Sequence, residues 1–241
     1  MSGIGVGRTI VAAVCLATLV PTSATASADS PRQRATAEFT RAAPGKATGL
    51  TISIDYRNPQ DPAAKPPAVR QIALRFARGS RIDTTALPIC TAENATLMTT
   101  GPAACPESRL GGGEVVLDTG FPEPFRFLEN DLTLLNASNE VIFLFQERMT
   151  GERLASRAAI KRRRIISTAP FLPGTPPDGA AVDTVSEMFE RTGTAGYLTT
   201  PKRCRHRGYW TNRLRFTYDD GVVQKVRTAS PCRRRAGGSS T

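Results

Sequence analysis

The chain has 241 residues, with 32 lysines and arginines against 21 aspartates and glutamates, a formal charge of +11, and a single histidine. Such a balance points toward acidic polymers or anionic surfaces as partners. One histidine, His206, leaves little ground for a Ser-His-Asp, Cys-His or zinc mechanism, and no apolar stretch reaches the about 20 residues of a membrane-crossing helix.

Arg8 precedes an apolar run from Ile10 to Val20, followed by small residues ending in Ala24-Thr25-Ala26 and Ala26-Ser27-Ala28. That order is the signature of a secretory signal peptide, here residues 1–28. Cys15 follows Val14, where a lipoprotein processing site needs a small residue, so cleavage near Ala28 and a secreted, extracellular chain are expected. Loss of Arg8 then lowers the charge from +11 only to +10. Residues 29–48 carry Pro31, Pro44 and Gly45 without apolar periodicity and read as a flexible N-terminal segment.

Leu50, Ile52, Ile54 and Tyr56 alternate with Thr51, Ser53 and Asp55, and Ile72, Leu74 and Phe76 alternate with Gln71, Ala73 and Arg75. A period of two places the apolar set on one face of a half-buried strand. Pro59, Pro62, Pro66 and Pro67 between them exclude a helical crossover and favour an extended loop. The stretch Cys90–Gly113, with Gly101-Pro102 and Gly111 to Gly113, reads as irregular. Glu114–Leu117 and Phe125–Leu128 are short strand candidates. Leu132–Leu135 and Val141–Phe145 flank Asn136-Ala137-Ser138-Asn139 as a hairpin, whose second strand is apolar on both faces and belongs at the centre of the core. Lys161–Ser167 and Asp183–Arg191 leave strand and short helix open, with strand preferred.

Near the C-terminus Trp210, Leu214, Phe216 and Tyr218 share one strand face, and Asp219-Asp220-Gly221 supplies a turn. A two-residue loop would set Phe216 opposite Lys225. A three-residue loop, with Gly221 in the left-handed region, pairs Tyr218 with Val222 and Leu214 with Val226 on one apolar face, so burial selects it. Many short strands with frequent turns predict an all-β fold over residues 49–232, a single β-sandwich of immunoglobulin-like or jelly-roll-like kind, followed by a disordered basic tail at 233–241.

Four cysteines remain after the leader: Cys90, Cys105, Cys204 and Cys232. In an exported chain an even count reads as disulfides, and four cysteines allow three pairings. The local pairs Cys90–Cys105 and Cys204–Cys232 are preferred; they close loops of about 15 and 28 residues, worth roughly 3 to 4 kcal/mol each in the chain-entropy model. No C-x-x-C pair is present to favour zinc, and no cofactor motif is found.

Leu87-Pro88-Ile89-Cys90-Thr91 leading to Cys105-Pro106-Glu107-Ser108-Arg109-Leu110-Gly111-Gly112-Gly113 is one conspicuous stretch. Tyr197-Leu198-Thr199-Thr200-Pro201 with Cys204, Gly208, Trp210, Asn212, Phe216, Tyr218, Asp220-Gly221 and Ser230-Pro231-Cys232 is the other. Together, over roughly residues 50–232, they resemble a group of secreted actinobacterial proteins with no established activity. The resemblance implies a secreted β-rich domain from a bacterium and assigns no reaction.

Three kinds of chemistry are left to weigh. Acid pairs could hydrolyse glycosides, with Glu129 and Asp131 ahead of Glu140 with Glu147 and of Asp219 with Asp220. The basic residues Arg203, Arg205, Arg207, Arg233, Arg234 and Arg235 would be gathered by the second disulfide into a patch for an anionic cell-wall polymer or acidic polysaccharide. Lys161–Arg164 is a further basic run. Few aromatics interleave with these charges, which argues against sequence-specific nucleic-acid recognition. The expected function is a non-enzymatic exported domain that associates with the envelope or an acidic extracellular polymer; a carboxylate-dependent glycoside hydrolase and a purely structural module are the alternatives.

Overall fold

In a computed structural model, residues 30–176, 179–190, 196–204 and 208–233 are described. Residues 1–28, expected to be a signal peptide, and the expected tail beyond Arg233 lie outside them. The strands, in chain order, begin with β1 (Gln33–Phe39), β2 (Ala47–Thr48), β3 (Leu50–Tyr56), β4 (Val69–Arg75) and β5 (Arg81–Ile82). A short helix α1 (Asn94–Thr100) and two single 3-10 turns precede β6 (Arg109–Asp118), β7 (Phe127–Ala137), β8 (Glu140–Glu147) and β9 (Arg153–Ile160). Then come β10 (Arg164–Thr168), β11 (Ala181–Phe189), β12 (Leu198–Thr199), β13 (Tyr209–Tyr218) and β14 (Val223–Pro231).

Eleven strands form one antiparallel sheet in the order β1-β3-β11-β6-β7-β8-β9-β10-β4-β13-β14, and β2, β12 and β5 form a small second sheet. A sandwich would divide the long strands between two facing layers. Here one continuous ladder curls until its two edges meet, so all inward side chains face a single interior. The meeting edges, β1 and β14, share no ladder; polar side chains join them instead. Phe39 N–H donates to Ser230 Oγ (3.0 Å), Thr228 Oγ1 and Asn212 Nδ2 donate to Ala37 O (2.9 and 2.8 Å), and Gln224 Nε2 donates to Ser30 O (2.8 Å).

The N-terminal segment expected to be flexible is part of this barrel. Gln33 to Phe39 pairs residue for residue with Tyr56 to Leu50. Ala35, Ala37 and Phe39 alternate inward, but alanines raise hydrophobicity too little for the period to stand out. A second correction concerns Gly111 to Gly113, which sit in β6 between β7 and β11 rather than in an irregular loop. A Cβ on Gly113 would lie 2.0 Å from Ser186 O and one on Gly112 2.6 Å from Leu132 O, so the glycine run lets the neighbouring backbones close on β6.

Phe125–Leu128, from Phe127 onward, and Leu132–Leu135, expected as separate strands, fall in the single strand β7, and the other strand expectations are met with sharper bounds. The strand preferred within Asp183–Arg191 is β11, Ala181–Phe189, and Arg191 lies outside the described residues. The first predicted hairpin has a tighter loop than Asn136–Asn139, because Ala137 pairs Glu140 and leaves Ser138 and Asn139, the latter at φ 56°. In the last hairpin Leu214 pairs Val226, Tyr218 N–H donates to Val222 O (2.9 Å) and Gly221 has φ 82°, the register selected by burial.

Both local disulfides are present, with Cα separations of 5.4 Å for Cys90–Cys105 and 5.7 Å for Cys204–Cys232. The first holds the excursion containing α1 against the outside of β7, β8 and β9, where Leu97, Leu135, Ile142 and Leu144 form a satellite cluster. Val141 and Phe143 point inward, so β8 is covered on both faces as predicted. Asn136, itself fully buried, pins the excursion by donating to the carbonyls of Thr84, Leu87 and Pro88 at 2.9, 3.1 and 3.1 Å. No helix among the described residues is long and apolar enough to cross a membrane.

Candidate functional site

Side chains fill the interior of a barrel of about eight strands; a wider one leaves space. This eleven-stranded sheet encloses a cavity of about 670 Å³. Its walls come from the inward positions of the alternating strands: Ile52 and Ile54 of β3, Ile72 and Leu74 of β4, Val115 and Leu117 of β6, Leu128 and Leu132 of β7, Phe143 and Phe145 of β8, Val185 and Phe189 of β11. Below it the barrel is plugged by Phe39, which stacks on Phe76 at 6.2 Å and meets Trp210 edge-on at 5.8 Å between ring centroids.

Strand directions put the β3–β4, β6–β7, β8–β9, β10–β11 and β13–β14 connections at the opposite, open end. Residues Ala169 to Pro173 cross this mouth and line the cavity. That segment is tied down by Ala180 N–H to Leu172 O (3.0 Å), Thr175 N–H to Thr119 O (2.8 Å) and Lys65 Nζ to Thr175 O (2.8 Å). Phe121, Phe125, Met149 and Phe171 are exposed around the same end, Phe171 at 78%. An apolar rim thus surrounds an apolar interior.

Three polar lining residues are buried, Asn130, Glu147 and Glu187, and the first two are occupied by bonds within the protein; Arg70, Glu152, Arg153, Ser156, Ser167 and Asp219 line the cavity from more exposed positions. Asn130 Nδ2 donates to Val115 O and Leu128 O (3.3 and 3.0 Å). Glu147 accepts from Met149 N–H (2.9 Å) and from the N–H and hydroxyl of Thr150 (2.6 and 2.7 Å), capping its own turn. Arg153 reaches outward to Gln146 Oε1 (2.9 Å) and Thr99 O (3.1 Å). Glu187 is different. It sits on the inner face of β11 between Val185 and Phe189, is 8% exposed, and makes no hydrogen bond or ion pair among the described residues. Burial alone pushes its carboxyl up to about 7. Its charge and that of Tyr218 add to burial in holding the Tyr56 phenol above its ordinary range.

Of the acid pairs weighed for hydrolysis, Glu147 and Asp219 reach the cavity lining without their partners Glu140 and Asp220, and Glu129 and Asp131 lie outside it. Glu129 and Asp131 stand on the outer face of β7 and both grip Arg148, at 2.7 and 2.8 Å, which also pairs with Glu114 at 2.8 Å. Glu140 pairs with Arg157 (3.3 Å), and Asp220 with Arg32 (2.7 Å). Among the described residues no three His, Cys, Asp or Glu side chains converge as a metal ion would require. Asn136 is fully buried, and Asn94 Oδ1 accepts from Arg157 Nε (2.9 Å).

Of the basic residues singled out in the sequence, Arg203 and Arg233 are exposed on either side of the Cys204–Cys232 bridge, at the plugged end of the barrel. Arg205, Arg207, Arg234 and Arg235, with His206, lie outside the described residues. A larger basic feature is visible only in register. Arg164, Arg75, Arg213 and Arg227 are successive cross-strand partners over β10, β4, β13 and β14, with Arg215 opposite Lys225 one step along.

No protein-family model matches the chain, and no curated protein is significantly similar to it.

Proposed function

We propose that this protein is an exported carrier or sequestering protein for an elongated apolar molecule, which it holds in the barrel interior. The observation that carries the reading is the cavity of about 670 Å³ with aliphatic and aromatic walls, open at one end. Its volume falls in the range of roughly 300 to 1,000 Å³ that small-molecule sites occupy, and such sites pair apolar walls with a few placed polar groups. Glu187 is the placed group here, since its buried carboxyl has no partner among the described residues and would meet a polar atom of the guest. The rim of Phe121, Phe125, Met149 and Phe171 would let a water-insoluble guest pass to and from an apolar surface. Two disulfides fit an oxidising, extracytoplasmic setting.

Titration of the oxidised protein with the neutral fluorophore N-phenyl-1-naphthylamine tests this. Saturable binding with a Kd in the micromolar range, about −8 kcal/mol, is expected. Val185→Trp, which fills the interior with an indole, should weaken it at least tenfold while leaving the β-sheet circular dichroism unchanged. Absence of saturable binding, or an affinity untouched by Val185→Trp, refutes the reading.

A further inference from the structure

The outer wall of β10, β4, β13 and β14 carries a row of like charges set directly opposite one another. Arg164 pairs with Arg75, Arg75 with Arg213, and Arg213 with Arg227, and the next outward pair along the strands is Arg215 with Lys225. Among the described residues none of these six side chains has a salt bridge, whereas Arg32, Arg126, Arg148 and Arg157 all do. Like charges directly opposed on neighbouring strands destabilise a sheet. A chain with 21 acidic residues had carboxylates available to break the row and placed them elsewhere. Arg163 adds to the crowding from the β9–β10 turn, where burial and then the charges of Arg75, Arg78, Arg164 and Arg213 hold its guanidinium below the ordinary arginine range.

We propose that this arginine row is a binding site for a linear anionic glycopolymer, lying across the four strands with successive negative groups over successive guanidinium forks. Neighbouring strands are about 4.8 Å apart, so four arginines span about 14 Å, a straight track for an extended chain bearing one charge per residue. Arginine matches carboxylate and phosphate alike through its bidentate fork. The outward residues nearest the row are Ala73, Gln71, Thr211 and Thr217, and the outward ring of Tyr209 stands four residues along β13 from Arg213. Among the described residues of these strands no ring therefore lies directly beside the row on which a base could stack, which favours a sugar or alditol polymer over nucleic acid. The site is independent of the interior cavity and differs from the arginines flanking the second disulfide.

The test uses the full mature chain, oxidised, with two probes, linear polygalacturonate and poly(glycerol phosphate), over roughly 50 to 500 mM salt. Binding to at least one is expected, and comparing the two tells carboxylate from phosphate. Arg75→Gln/Arg213→Gln should weaken it tenfold or more, reduce the slope of log K against log salt by about 2, and leave the thermal midpoint at low salt unchanged or higher. Arg213→Gln/Arg227→Gln, two exposed positions, should do the same should the first pair disturb folding. Arg203→Gln/Arg233→Gln should bind within twofold of the parent. Row variants that bind as the parent does, a loss produced equally by the Arg203 pair, or tighter binding to a single-stranded oligonucleotide than to either glycopolymer overturns the proposal.

Discussion

Asn212 offers a direct measure of how the barrel is closed. Its side chain is fully buried and makes three bonds: Oδ1 accepts from Ala77 N–H (2.9 Å), and Nδ2 donates to Ala37 O (2.8 Å) and Ser230 Oγ (3.1 Å). Asn212→Ala removes all three. Ala37 O keeps Thr228 Oγ1 at 2.9 Å and Ser230 Oγ keeps Phe39 N–H at 3.0 Å, so Ala77 N–H is the one group left without a partner. Three bonds at about 1 kcal/mol net each give an expected loss of about 3 kcal/mol. Urea unfolding of the oxidised protein, followed by circular dichroism, reads this out. With a slope of about 3 kcal/mol per molar, suited to a chain of this size, the midpoint should fall by about 1 M. Ser230→Ala keeps the Ala77 bond but removes the bonds from Phe39 N–H and Asn212 Nδ2, leaving Phe39 N–H without a partner, and should cost about 2 kcal/mol. A fall below about 0.3 M for Asn212→Ala would mean that the seam is held by apolar packing and not by these bonds.

Gly113→Ala places a methyl group 2.0 Å from Ser186 O, and forcing β6 from β11 should cost about 2 kcal/mol or more in the same assay. Replacing Cys90 and Cys105 with serine should lower stability by about 3 kcal/mol while the barrel persists, since that loop packs on its outside; loss of sheet circular dichroism would contradict this. Glu187 binds its proton more tightly folded, near 7, than unfolded, near 4.5, so stability should fall as pH rises through that window and level off above it. The drop is about 3 kcal/mol, and Glu187→Gln should abolish it, matching the parent below pH of about 4 and exceeding it at about 8. An unchanged pH profile in Glu187→Gln would show that the carboxyl is hydrated or paired.

Alternation made the individual strands legible, because it depends on neighbours along the chain alone. Burial also fixed the register of the last hairpin, and with it the opposition of Arg213 and Arg227. The alternation of Leu50 to Tyr56 says that one face is buried, not whether a second sheet or the same sheet curled round covers it. Hence the all-β expectation and its strands are met while a single sandwich is not confirmed. β1 escaped notice because its inward residues include two alanines. Glu187 carried a readable signal, a carboxylate between Val185 and Phe189 on an apolar face, which the uncertainty between helix and strand concealed. The arginine row needed the β4–β13 and β4–β10 registers, contacts between segments far apart in sequence that no local pattern encodes.

The polar seam between β1 and β14 bears on how the chain reaches its native state. Ala37 and Thr228, which meet there, are 191 positions apart, and closing a loop of that length costs about 5 kcal/mol in chain entropy against about 2 for a hairpin. The seam therefore forms after the hairpins have brought its two edges near. Until then β1 and β14 present bare backbone to any passing strand, the condition under which β-proteins aggregate. Because the final contact needs Asn212, Thr228 and Ser230 in register with Ala37 and Phe39, a foreign strand cannot reproduce it by backbone pairing alone. The closure works as a latch keyed to its own edge, and variants that weaken it should show their first effect in refolding yield.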